Sequence, residues 1–156
     1  MKITLLVVGK TTDPHIEALL NGYISRLMHY IPFNLQVIPE LRNTKSLTFE
    51  QQKQTEGDLI LRAVTPSTDL ILLDEHGREY RSIEFAGYLQ KKMTAGHDVT
   101  FVVGGPYGFS DAVYARANGK ISLSQMTFSH QMIRLIFVEQ TYRAMTILRG
   151  EPYHHE

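Results

Sequence analysis

Apolar residues alternate along this chain between short continuous runs and helical spacing. Ile3 to Val8 is a nearly unbroken apolar run that ends at Gly9, the pattern of a strand covered on both faces. Asp13-Pro14 then supplies an N-cap and a first-turn proline, predicting a helix to about Tyr30. Pro32 and Pro39 bracket a second strand, Phe33 to Ile38, and Arg42-Asn43-Thr44-Lys45-Ser46 reads as a polar loop. A helix begins near Thr48, whose spacing to Gln51 fits a capping box. Leu70 to Leu73 is a third strand closing in Asp74-Glu75-His76-Gly77, and Ile83, Phe85, Ala86 and Leu89 give Ser82 to Met93 a helical stripe. Val99 to Val103 is the fourth strand, Ser110 to Asn118 a short helix and Lys120 to Leu123 a short fifth strand. Ser129 to Arg149 is the longest helix, and Gly150 to Glu156 forms a tail.

Strands alternating with helices predict an α/β fold with a mainly parallel sheet flanked by helices, in which ligands sit beyond the carboxyl ends of the strands. With 156 residues, 43% of them hydrophobic, and no repeat or linker, the chain reads as one domain over residues 1–156. Sixteen Lys and Arg balance sixteen Asp and Glu, so no global field draws the protein to DNA or an anionic membrane, and any RNA contact rests on a local patch. The absence of cysteine excludes disulfides and thiolate metal sites. The apolar N-terminus reads as a buried strand rather than a signal sequence, and no apolar stretch approaches the roughly 20 residues of a membrane helix. A soluble, cytoplasmic protein is expected.

The stretch FVVGGPYGFS, Phe101 to Ser110, raises the first chemical question. Gly104, Gly105 and Gly108 follow a strand at its carboxyl end, where missing side chains let a ligand reach backbone groups. No lysine follows the glycines, as a phosphate-binding P-loop requires, and the spacing is not that of a dinucleotide-binding GxGxxG. Two readings fit: a tight strand-to-helix turn built on Pro106 and Gly108, or a cradle for an uncharged, adenosine-like group. Leu73-Asp74 and the segment Leu123-Ser124-Gln125-Met126-Thr127-Phe128 end neighbouring strands and offer the same pocket apolar walls mixed with small polar groups. Equally, Leu123, Met126 and Phe128 fit a cap on the core.

The segments LLDEHG, FVVGGPYGFS and LSQMTFSHQMIRLIFVEQTYRA and the terminal PYHHE, at this spacing and chain length, resemble the ribosomal large-subunit pseudouridine methyltransferase H family, short members of the SPOUT methyltransferases. The resemblance covers essentially the whole chain. It implies a SPOUT-type α/β knot whose C-terminal region forms a trefoil knot, although knots are rare exceptions among folds. It further implies a homodimer, S-adenosylmethionine (SAM) as methyl donor with no metal, and methylation of N3 of a pseudouridine in 23S rRNA on the assembled ribosome. The SAM contacts it implies are Leu73, Gly104, Gly105, Leu123, Ser124, Gln125, Met126, Thr127 and Phe128. SAM has a sulfonium and an adenosine but no phosphate, which accounts for a glycine loop without lysine.

Methyl transfer to an imide nitrogen needs a positioned base or a stabiliser of the developing anion. The candidates are Tyr153, His154, Arg143 and His130. His154 suits taking the proton or hydrogen-bonding a base oxygen, Tyr153 suits stacking on or orienting the target base, and Arg143 suits anionic charge or phosphate. His130 stands at the start of the predicted long helix, whose dipole favours a neutral imidazole. Each also has a plainer role: a solvated tail for Tyr153 and His154, an intrahelical ion pair between Arg143 and Glu139, and decoration of a first turn for His130 with Arg134.

Met132, Ile133, Leu135, Ile136, Phe137 and Val138 make the long helix apolar around most of its circumference, so it is fully buried or forms an interface. In the implied homodimer the tail of one subunit completes the site of the other. Candidate RNA contacts are Lys10, Arg26, Arg42 and Lys45, which also fit ordinary solvated surface, and His155, which stands where the family more often has a basic residue. The competing function class is a noncatalytic dimeric ribosome-binding or nucleotide-sensing module. The two tail histidines lack a carboxylate constellation, which disfavours a metal-dependent hydrolase.

Overall fold

The computed structural model describes residues 1–156. Five strands, β1 (Ile3–Val8), β2 (Phe33–Ile38), β3 (Asp69–Glu79), β4 (Val99–Val103) and β5 (Gly119–Ser122), form one sheet in the order β2-β1-β4-β3-β5. Every strand pair in it is parallel. The helices are α1 (Pro14–Leu27), α2 (Phe49–Arg62), α3 (Ser82–Ala95), α4 (Asp111–Arg116) and α5 (Met132–Leu148).

Successive residues of a strand face opposite sides, and the core divides accordingly. Leu5, Ile71 and Phe101 pack with Leu20 of α1, Leu89 of α3 and Phe137 of α5 on one face. Leu6, Leu72 and Val102 pack with Ile60 of α2 and Val113 of α4 on the other. Because β1, β3 and β4 are covered on both faces, they read as apolar runs rather than alternating patterns. No helix is long and apolar enough to cross a membrane.

The expected caps are in place. Asp13 accepts from His15 N–H at 2.8 Å and Ile16 N–H at 3.3 Å, and Thr48 and Gln51 exchange both bonds of a capping box at 3.1 and 2.8 Å. Ser110 caps α4 through Val113 N–H at 3.3 Å.

Several expectations shift. The first helix ends at Leu27 rather than Tyr30, and Thr44–Ser46, expected as loop, forms one 3-10 turn. β5 covers Gly119–Ser122, one residue earlier than expected. β3 runs on through the polar residues to Glu79, because Ile121 of β5 pairs with Leu73 and again with Arg78; the register slips between them and the chain bulges at residues 74–77. α5 begins at Met132, because Ser129 Oγ caps Met132 N–H at 3.1 Å and holds residues 129–131 in a preceding turn. His130 sits in that turn, at the amino end of the helix, where Ser129 O also accepts Ile133 N–H at 3.0 Å.

α5 is fastened to the first strand by a residue the sequence reading had placed on the surface. Arg134 is 1% exposed, and its guanidinium donates to Val8 O at 2.9 Å, Gly9 O at 2.9 Å, Thr11 Oγ1 at 3.1 Å and His130 O at 2.9 Å. Burial pulls its pKa down and Glu40 pushes it back up. The side chain is a buried clamp, not decoration.

Candidate active site

β4, β3 and β5 are neighbours, so their carboxyl ends lie side by side, and there the chain encloses a cavity of about 470 Å³. Leu73 to His76 contribute one wall, Val103 to Phe109 a second, and Leu123, Ser124, Met126, Thr127 and Phe128 a third, with His130 and Ile133 completing it. The lining mixes apolar side chains with bare backbone and contains no Lys or Arg. Such a site reads shape and hydrogen-bonding edges rather than phosphate charge.

The glycine loop is held from behind. Gly105 N–H donates to Glu56 Oε1 at 2.9 Å, and a Cβ on Gly105 would lie 2.3 Å from that oxygen, so any larger residue displaces the carboxylate. Partial burial raises the Glu56 pKa above the ordinary carboxylate range, while the bond from Gly105 pulls it back. At the opposite wall Tyr114 OH donates to Asp74, whose other oxygen accepts His76 N–H at 2.8 Å. Burial first and this bond second push the Tyr114 phenol up to about 12, so it stays a neutral donor.

A second constellation gathers where α1, α5 and the tail meet. Glu139 Oε1 accepts from Arg143 at 2.5 Å and from Tyr153 OH at 2.9 Å. Since Tyr153 spends its hydrogen on Glu139, the 3.3 Å contact with Tyr23 OH is donated by Tyr23. The Arg143 guanidinium lies 4.8 Å from the Tyr153 ring centroid, and its Nη1 is 3.2 Å from His154 Nδ1. Arginine has no acceptor atom, so Nδ1 accepts and, in the neutral ring, Nε2 carries the hydrogen. Burial, then the bonds to Tyr23 and Glu139, push the Tyr153 phenol up. Arg143 Nε is buried with no acceptor in the chain, a donor whose neglect costs about 1–3 kcal/mol.

A family described as "Predicted SPOUT methyltransferase" matches residues 1–154. Proteins named "Ribosomal RNA large subunit methyltransferase H" from Bacteroides thetaiotaomicron, Parabacteroides distasonis and Flavobacterium psychrophilum are 62%, 60% and 54% identical, each over 100% of both chains. The chain belongs to this methyltransferase H family of SPOUT proteins. The motifs named at the outset had pointed to it, and its α/β architecture is as expected.

Within this methyltransferase H chain the expected SAM contacts converge: all except Gln125, which is exposed, line the cavity. The expected catalytic residues do not. His130 lines the cavity, whereas Tyr153, His154 and Arg143 lie in the tail constellation and contribute nothing to the cavity wall of their own chain. The ion pair between Arg143 and Glu139 forms as spacing suggested, but as one bond of a larger network. Of the expected RNA contacts, Lys10, Arg26, Arg42, Lys45 and His155 are all exposed and none joins an ion pair. They are dispersed: Lys10 follows β1, Arg26 lies 5.3 Å from the Tyr23 ring on α1, and only Arg42 and Lys45 share a segment. Sequence reading missed Glu56 and Tyr114, whose partners lie 49 and 40 residues away. No group of three His, Cys, Asp or Glu side chains is placed to hold a metal ion.

Proposed function

We propose that this chain is a SAM-dependent methyltransferase that methylates N3 of a pseudouridine in 23S rRNA, acting as a homodimer on the assembled ribosome in the cytoplasm. The observation that carries the reading is the cavity at the ends of β3, β4 and β5, whose lining of bare glycine backbone, apolar walls and no cation suits a ligand with an adenosine and no phosphate. The names of the relatives, large-subunit rRNA methyltransferases identical at 52–62% over essentially their full length, support the substrate class.

Leu73, Gly104, Gly105 and the run from Leu123 to Phe128 would hold SAM. When bound, SAM supplies an electrophilic methyl group whose transfer leaves a neutral thioether. The remaining work is the protein's. The imide N–H must lose its proton as nitrogen attacks, and charge then spreads onto the flanking carbonyl oxygens. Tyr153, with its phenol pushed up and its hydrogen committed to Glu139, is no base; it suits orienting or stacking on the uracil ring. His154, accepting from Arg143 at Nδ1, presents Nε2–H as a donor to a carbonyl oxygen bearing developing charge. Arg143 holds that imidazole and has an unmet Nε–H of its own. His130, at the cavity wall, is the candidate proton acceptor.

The separation of these groups from the cavity is what favours the dimer, in which the tail of one subunit serves the cavity of the other. Leu19 and Met28, on and just after α1, are 55% and 57% exposed, apolar surface that a second subunit would cover. The SPOUT trefoil knot belongs to the same proposal. The test uses tritiated SAM with ribosomes from cells lacking the endogenous activity, carrying uridine or pseudouridine at the target. Label incorporated only with pseudouridine is expected; tight SAM binding without incorporation points instead to a noncatalytic ribosome-binding module.

A further inference from the structure

α2 grips the glycine loop along one face. Phe49, Glu56 and Gly57 share that face by their i, i+7, i+8 spacing, and each meets the loop differently. Glu56 takes the Gly105 N–H at 2.9 Å, and Gly57 lets Ser110 come so close that a Cβ on it would lie 2.3 Å from the serine oxygen. Phe49 stacks on Tyr107 with ring centroids 4.3 Å apart and planes inclined at 19°. The first two contacts lock loop to helix and so hold the third in position.

The stack itself is poorly explained by folding. Phe49 is 66% exposed and Tyr107 41%, so the pair removes little apolar surface from water. Tyr107 nonetheless lines the cavity, while the Phe49 face turned away from Tyr107 is not covered by it. Phe49 opens α2, immediately after the capping Thr48 and four residues beyond Lys45. Lys45 and Arg42 are exposed and free of ion pairs. A fixed aromatic stack beside a cavity, with unpaired cations just up the chain, has the chemistry that receives an unstacked nucleobase while its phosphates meet the cations. Two rings are far less area than a subunit interface, which buries about 800 Å² per partner.

We propose that the Phe49–Tyr107 stack is the platform on which substrate RNA lays an unpaired base beside the nucleotide that enters the cavity. The proposal rests on the rRNA methyltransferase reading above. Its test compares Phe49→Ala with Phe49→Trp on large ribosomal subunits lacking the modification. Phe49→Ala is expected to raise KM for the subunits about tenfold, with a smaller change in kcat and no change in SAM affinity by calorimetry. Phe49→Trp is expected to restore KM. The chain has no tryptophan, so that variant also places a sole indole on the platform, and a uridine-rich single-stranded RNA should quench its fluorescence. An unchanged KM in Phe49→Ala, a loss carried by SAM affinity, or an indole that responds to SAM but not to RNA each overturns the platform. If the wild-type chain transfers no methyl group to any ribosome, the methyltransferase reading falls, and the indole arm still decides whether RNA uses the stack.

Discussion

The cavity and the tail constellation are built on opposite principles. Around the cavity few side chains are bonded to one another, and the loop donors are backbone groups backed by apolar walls. In the tail constellation Glu139, Arg143, Tyr153, His154 and Tyr23 hold one another through a continuous set of bonds and a cation-π contact. The first arrangement leaves polar backbone open to a ligand; the second fixes its polar side chains against one another before any ligand arrives, which lowers the cost of orienting them later. α5 joins the two, with Ile133 in the cavity wall and Glu139 and Arg143 in the constellation.

The largest effect should come from cutting what both regions share. Arg134→Met leaves the Val8 and Gly9 carbonyls without this donor, and at about 1–3 kcal/mol for each buried group left unsatisfied the loss should be about 2 kcal/mol or more. Urea denaturation measures it, and a loss below about 1 kcal/mol would mean that Arg134 is no clamp. Glu139→Gln separates the regions. It should cost about 1–2 kcal/mol and slow turnover strongly while leaving SAM affinity intact, because only the constellation loses its hub. Unchanged turnover at saturating substrates would remove Tyr153 and Arg143 from the chemistry.

The smallest effect lies behind the glycine loop and depends on pH. The Glu56 carboxyl has its folded pKa raised by burial, so its ionisation costs stability as pH rises through that value. Below the ordinary carboxylate pKa of about 4.3 the group is protonated in both states and the cost vanishes. Glu56→Gln keeps an acceptor for Gly105 and does not ionise. Its melting temperature relative to wild type should therefore be highest near neutrality and fall back as the solution is acidified. A difference independent of pH would show that ionisation of Glu56 is not what the fold resists.

Much of this was legible in one sequence because it is local. The strands covered on both faces, the caps at Asp13, Thr48 and Ser110, and the strand-end loops from Leu73, Gly104 and Leu123 all declare themselves within a few residues. The role of Arg134 did not, since its acceptors at Val8 and Gly9 are distant in the chain and an arginine among apolar helix residues looks like surface. The polar end of β3 reads as loop because its pairing with Ile121 is decided by tertiary contact, not by hydrophobicity. Of the four catalytic candidates, Tyr153, His154 and Arg143 meet one another while His130 lies at the cavity wall, and spacing gave no sign that the three assemble away from the cavity of their own chain.

The clamp from α5 to β1 also sets when the protein can be finished. The bonds from Arg134 to Val8 and Gly9 close loops of 126 and 125 residues, and β1 cannot take its place beside β4 until Val99 to Val103 exist. β1 thus waits for α5, the last helix in chain order. Folding cannot be completed piece by piece during synthesis, and the late, long-range closure favours slow acquisition of the native state after release.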